Sequence, residues 1–450
     1  MTSAGQHLLD LCDDVLARAE RAGATACEAF AEYVKQTSAS VEQNELKGAS
    51  SAEHEAVGIR LFVGDRMGFA YVNRFDDESL DEAIADAVAI AKASPGDPAN
   101  GLLDPQPGKV VKGLWDDAIA NLPPDEVVRR TAALLDEARG VDARVSVDNA
   151  SFSATLGHSA VVSTRGVRAA ASETAASWGL FGMAVDGDEV GSFDMWSEGA
   201  RQLKDARTDE GARRFGETVM SLLKPREGKS YKGKVLFSHD AFGEIFLDTL
   251  FDAMDGDAVH KGKSRLKGKL GKRVASPDFL VVDDGARHGG LASGAFDREG
   301  MPHRRAVLVG DGVLHSFLYD GKAARRAGAR PTGHAEGSAR SLPSIGTTNV
   351  EVGGGSASDE ELLRELKDGL WVGRFSGNVD EVSGDFSGVA KGSFLVEKGK
   401  RTAPVKETLI AGNVFDMLQR VLAVGRDRHR VMATLCPWVL VDGVDVTAGG

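Results

Sequence analysis

The spacing of apolar residues changes several times along this chain, and each change marks an element. Leu8, Leu11, Cys12, Val15, Leu16 and Ala19 recur at i, i+3, i+4, i+7 before Gly23, which predicts an amphipathic helix over 4–22 with Cys12 on its buried side. From Cys27 to Tyr71 the period shortens. AFAEYVKQ, SASVEQNEL, EAVGIRLFVG and RMGFAYVN read as successive strands, with Gly64-Asp65 as a hairpin turn. Helical spacing returns from Asp76 to Ala93, with Leu80, Ala83, Ile84, Ala87, Val88 and Ala91 inward. The proline-rich stretch Ser94 to Gly108 closes the unit as a linker.

A second round starts at Pro123-Pro124-Asp125-Glu126, a helix start whose buried face is Val127, Val128, Leu134 and Leu135. Strands follow at 143–155, 158–165, 168–185 and 188–196, turned at Gly157, Gly166 and Gly187-Asp188, and a helix over 208–224 ends before Pro225. Helix, strands, helix therefore occurs twice, although the two rounds share no residue-level match. Beyond 225 glycine-rich turns dominate, with a helix over 359–370 and short strands over 371–410. The expected fold class is α+β. N-terminal units at 1–110 and 111–225, which can join in one domain, precede a Gly-rich C-terminal domain at 226–450 with a mixed, largely antiparallel sheet.

A length of 450 residues exceeds what one core usually serves, in keeping with several domains. The net charge of -13 argues against non-specific nucleic-acid binding. The one strongly basic run, KGKSRLKGKLGKR from Lys261 to Arg273, lacks interleaved aromatics and reads as a solvated loop. Cys12, Cys27 and Cys436 are too few and too scattered for a disulfide framework, and Cys436 lies in an apolar strand as a buried thiol would. No signal-like N-terminus and no window of about 18 apolar residues is present, so the expectation is a cytoplasmic protein without membrane or nucleic-acid partners.

Chemistry concentrates in YKGKVLFSHDAFGEIFLDTLFDAMD, residues 231–255. Val235, Leu236 and Phe237 suit a buried strand. Phe242, Ile245, Phe246, Thr249 and Leu250 share one side of a helix that starts at Ser238 or His239. Zinc hydrolysis needs ligands, an open position for water and a carboxylate to take its proton. His239 and Glu244 are possible ligands and Asp240 a possible base. Residues five apart on an α-helix diverge by roughly 140°, so such a site requires a bend or an irregular helix start. The plainer reading keeps His239 as a helix-start residue and Glu244 as a solvated or paired carboxylate. His260, His288, His303, His315, His334 and His429 are scattered without metal-ligand spacing, and no serine-hydrolase elbow or P-loop occurs.

VGIRLFVGDRMGFAYV (57–72), ASPDFLVVDDG (275–285), GAFDREGMP (294–302), DGVLHSFLYDGKAARRAGARPTGHAEG (311–337), TTNV (347–350), SGDFSGVAKG (383–392), APVKETLIAGNVFDML (403–418) and CPWVLVDGVDVTAG (436–449) follow one another through the whole chain. In this succession the chain resembles the TldD/PmbA family, on its TldE (PmbA) side. The resemblance implies a soluble peptidase system of two homologous subunits, TldD and TldE, that cleaves unfolded or flexible peptides within an enclosed cavity. In that family the TldD-like subunit carries zinc on a His-Glu-x-x-x-His helix, with a cysteine nearer the C-terminus.

On this chain the helix positions become His239, Asp240 and Glu244: one ligand remains, the base is shortened and the second histidine is gone. Where the family has its Gly-x-Cys-Gly-like segment, this chain reads AVGRDRHRVMATL. The resemblance therefore implies a subunit without its own zinc, paired as a heterodimer or higher assembly with a zinc-bearing TldD-like subunit. It also implies that Thr332, Gly333, His334, Ser383, Gly384, Asp385 and Phe386 line the cavity, where backbone groups pair with an extended peptide. The same glycines equally suit tight turns and bulges. Two other readings stay open: a metallopeptidase active by itself through His239, Asp240 and Glu244, and a non-hydrolytic peptide-binding or maturation scaffold.

Overall fold

Gln43 and Asn44 adopt left-handed φ of 50° and 64° in the computed structural model, which describes residues 3–449. This turn sets the N-terminal sheet: β1 (Ala26–Glu42) runs up to it and β2 (Glu45–Val63) runs back. The expected break between AFAEYVKQ and SASVEQNEL does not occur. Thr37 and Ser38 stay in the ladder, their hydroxyls 3.2 and 3.1 Å from those of Ser51 and Ser50. Gly157 likewise makes no turn. It lies inside β4 (Val145–Ser163), opposite Val34 on one side and Glu173 on the other. The turns expected at Gly64, Gly166 and Gly187 are present, each with positive φ.

β3 (Arg66–Val72), β5 (Arg168–Asp186), β6 (Glu189–Val190) and β7 (Asp194–Ala200) complete a seven-stranded sheet in the order β3-β2-β1-β4-β5-β7, with β6 also on β5. The two helix-strands-helix rounds thus build one sheet, joined by antiparallel β1 and β4. Their strand orders run outward from that seam in opposite senses, as a local two-fold would place them. Helices Ser3–Arg21 and Asp77–Ala93 bury Leu8, Cys12, Val15, Leu80 and Ile84 against the first half. Pro124–Arg139 and Thr208–Ser221 bury Val127, Leu134, Phe215 and Val219 against the second. Val128 and Leu135, also expected inside, pack only at the margin of that core.

The C-terminal sheet has 13 strands and branches at Thr434–Ala448. On one path this strand pairs with β8 (Tyr231–Phe237), which pairs in parallel with Gly369–Val372. On the other path it leads through Thr408–Asn413 and Asp385–Lys391 to the outlying strand Arg374–Val379. The helix expected over 359–370 stops at Leu366, where Lys367 turns to φ 63° and the chain enters the next strand at Gly369. Among the described residues no helix is long and apolar enough to cross a membrane.

The N-terminal sheet meets a C-terminal loop at 297–299 through buried charge. Arg60 on β2 donates through Nη2 to Glu28 at 2.7 Å and to Glu299 at 2.8 Å, and Arg298 donates to the other Glu28 oxygen at 2.9 Å. All four side chains are at most 5% exposed, so each cation needs its carboxylates in place. Asp297, beside them, is pushed up to about 8 by burial and the Glu299 charge, and accepts the backbone N–H groups of Glu299, Met301 and Ala335.

Candidate functional site

β8 delivers the chain to Ser238, whose hydroxyl accepts from the Ala241 N–H at 3.1 Å and donates to Gly373 O, capping the helix that begins at His239. This helix is irregular, as a site built on His239 and Glu244 requires. After His239–Phe242 it passes through a π-turn at Gly243–Leu247, closed by Asp248 N–H to Gly243 O, before resuming as Asp248–Met254. Phe242, Ile245, Phe246 and Leu250 face the core, which holds the helix against the sheet.

The π-turn does not bring Glu244 to His239. Glu244 Oε2 instead accepts the Phe375 N–H at 2.8 Å. His239 stacks on His429, with ring centroids 4.7 Å apart, its Nε2 lies 3.3 Å from Asp240 Oδ2, and its buried Nδ1 has no hydrogen-bond partner. His429 in turn places Nε2 2.8 Å from Asp359 and stacks on Trp438 at 5.8 Å. Among the described residues no three His, Cys, Asp or Glu side chains converge as metal ligands. With Glu244 turned toward the Phe375 N–H and no third ligating side chain converging on His239 among the described residues, the side chains as placed do not fit a zinc ion.

Burial dominates the electrostatics. It pushes His239 down to about 3, with His429 and Arg214 adding, and Asp240 up to about 7, with Asp194 and Glu244 adding. Arg374 is the balancing cation. Its Nε lies 2.9 Å from Asp194 on β7, and its guanidinium covers the Phe193 ring at 4.6 Å, so the N-terminal sheet forms one wall of the site. Cys436 faces His429 across the ladder and is buried, with its thiol pushed well above the usual range.

The sign of the pH effect at Asp240 follows from its shift. A carboxyl of ordinary value 3.8 held at about 7 binds more protons folded than unfolded between those values, so its contribution to stability falls as pH rises through that window. Asp240→Asn is therefore expected to be nearly neutral at pH 4 and to stabilise by about 1–2 kcal/mol at pH 8, after discounting for its partial exposure. Urea unfolding of both proteins at the two pH values checks this.

His429 lies in AVGRDRHRVMATL, the segment standing where the family has its cysteine, but its stacking on His239 depends on the pairing of that strand with the CPW segment, which exists only in the folded sheet.

The seven residues expected to line a peptide wall fall into two separate groups. Thr332 Oγ1 bonds both Tyr319 N–H and Tyr319 O, and His334, only 2% exposed, sets Nδ1 2.9 Å from that hydroxyl. Gly333 has φ +77°, and its carbonyl lies 2.9 Å from His303 Nδ1. In the second group Ser383 and Asp385 bond one another at an exposed turn, and Gly384 has φ +78° with its Cα against the Phe415 ring.

Phe386 is a correction: 3% exposed, it packs 6.0 Å from both Phe246 and Phe375 in the core and lines no wall. Strand Asp385–Lys391 is also paired on both sides, so its edges offer nothing to a peptide. The unpaired edge belongs to Arg374–Val379, whose described pairing is to Asp385–Lys391 alone. Since the Phe375 N–H points away from that partner to Glu244, the backbone of Gly377 and Val379 points the same way.

Two family models match the chain: the PmbA/TldA metallopeptidase domain 1 over residues 27–91 and the C-terminal domain over residues 230–448. The metalloprotease PmbA of Escherichia coli O157:H7 is 28% identical over 416 residues, covering 90% of this chain and 88% of that protein. A metalloprotease TldD homolog of Haemophilus influenzae is 27% identical over 415 residues, covering 85% of this chain and 82% of the relative. In fold the chain is similar to TldE from Thermococcus kodakarensis, with a TM-score of 0.90 at 24% identity over 97% of this chain and 100% of that one. The two matched domains and the near full-length relatives agree: the chain belongs to the PmbA/TldD metallopeptidase family.

Proposed function

We propose that this chain is the TldE-like subunit of a two-subunit metallopeptidase, working without zinc of its own beside a zinc-bearing TldD-like subunit. The observation that supports this reading most is the Phe375 N–H bond to Glu244 Oε2, which turns this carboxylate toward the strand rather than toward His239. The same bond holds the free strand Arg374–Val379 beside the helix. An unfolded or flexible peptide laid against Gly377 and Val379 would pair by main-chain hydrogen bonds, which favours affinity with little regard to sequence. In this reading the substrate wall is that edge rather than Ser383–Phe386, while His239, Asp240 and Arg374 shape the end of the cavity next to it.

Co-purification with a TldD-like subunit, followed by metal analysis of each chain, tests the reading. Zinc is expected in the partner and at far below stoichiometric level in this chain. Near-stoichiometric zinc in the single chain, lost on His239→Ala, would overturn it in favour of a peptidase active by itself.

A further inference from the structure

A cleft of about 310 Å³ opens between the N-terminal sheet and the C-terminal domain, away from the site helix. Its walls come from both: Phe30, Glu32 and His158 from the sheet, Phe296, Glu336 and Gly346 from the loops opposite. Domain junctions of this kind, with aromatic walls and a few polar groups, are where small ligands bind.

Carboxylates outnumber cations along the cleft. Glu32, half-buried, and Glu336, exposed at the mouth, have no cation within ion-pair distance among the described residues. The Glu336 carboxylate lies so close to the wall that a Cβ on Gly346 would fall 2.0 Å from its Oε2. Glu173, also on the wall, is 2.9 Å from Arg201, and the one lining cation, Arg298, is held by Glu28 at 2.9 Å. Two carboxylates on facing walls therefore stay outside any ion pair, Glu32 accepting the Ala339 N–H with Arg298 and Arg340 at longer range, and a cleft with an excess of one sign concentrates the opposite charge. A metal ion is the poorer occupant, because no three ligating side chains converge among the described residues. The Arg298 guanidinium already covers the Phe30 ring at 4.1 Å, which leaves the half-buried Phe296 ring to pack on the stem of an organic cation.

We propose that this cleft binds the guanidinium or ammonium group of an arginine or lysine side chain, with Glu32 and Glu336 as its counter-charges. The site stands apart from His239, since no residue of the site helix lines the cleft.

Calorimetric titration of the full chain with Nα-acetyl-arginine amide, and with the isosteric but uncharged Nα-acetyl-citrulline amide, tests it. The arginine compound is expected to bind and the citrulline compound to bind at least about tenfold more weakly, with Glu32→Gln costing the arginine compound about tenfold. Equal affinity for the two compounds, or no binding of the arginine compound, would sink the proposal. If Glu32→Gln fails to fold, Glu336→Gln at the exposed mouth replaces it, and an unchanged affinity in the folded variant has the same force.

Discussion

Arg60→Ala is expected to destabilise the protein by about 3–5 kcal/mol, a large fraction of what a domain ordinarily holds. The cost comes from what is left behind more than from what is removed. Glu28 and Glu299 are at most 2% exposed and lie 2.7 and 2.8 Å from Arg60, so removing the guanidinium leaves buried carboxylates facing each other across an empty space. Arg298 still holds one oxygen of Glu28, whereas Glu299 is left with the Gly321 N–H, 2.6 Å away, and the more distant Arg325 charge. Because Glu28 lies on β1 and Glu299 on a C-terminal loop, the loss falls on the junction of the two domains. Urea unfolding followed by near-ultraviolet circular dichroism measures it. A shift worth less than about 1 kcal/mol would mean that the pair contributes little beyond its own desolvation.

Phe246→Ala is expected to cost about 3–5 kcal/mol, the range for deleting a buried aromatic ring. Phe246 is fully buried, 5.2 Å from Phe237 edge-on, 4.7 Å from Phe242 face-on and 6.0 Å from Phe386, so it joins β8, the site helix and the Asp385–Lys391 strand. None of these neighbours can close the gap without moving a strand or the π-turn. Phe246→Leu, which refills most of the volume, should recover more than half of the loss. The ratio of the two effects distinguishes packing from a general weakness of the irregular helix: if both variants lose equally, the helix itself is at fault.

Elements with strong local periodicity were legible. The Leu8–Ala19 stripe, the Leu80–Ala91 stripe capped by Asp76, and the strand entering Ser238 all lie within a few residues of their expected bounds. Boundaries failed where small or polar residues ran through a ladder. Thr37 and Ser38 looked like a break, and Gly157 like a turn, because sequence spacing does not show that a neighbouring strand satisfies the backbone there. Within the site, His239 and Asp240 were recognisable by residue type. Their roles were not, because these depend on His429, Asp194 and Arg374, which come from 45 to 190 residues away in sequence.

By itself the sequence determined the helix and strand periods, the acidic net charge, the succession of motifs that marks the family, and the His239-Asp240…Glu244 spacing. Local residue order suffices for these because each depends on spacing within one segment or on residue identity. Only the tertiary structure decided that both N-terminal rounds share one sheet, that Phe386 belongs to the core, and that the free edge is Arg374–Val379. It also decided the hydrogen-bond partner of Glu244. Whether that carboxylate turns to a metal or to the Phe375 N–H depends on where a strand 131 residues away comes to rest, and packing of the whole domain fixes that position.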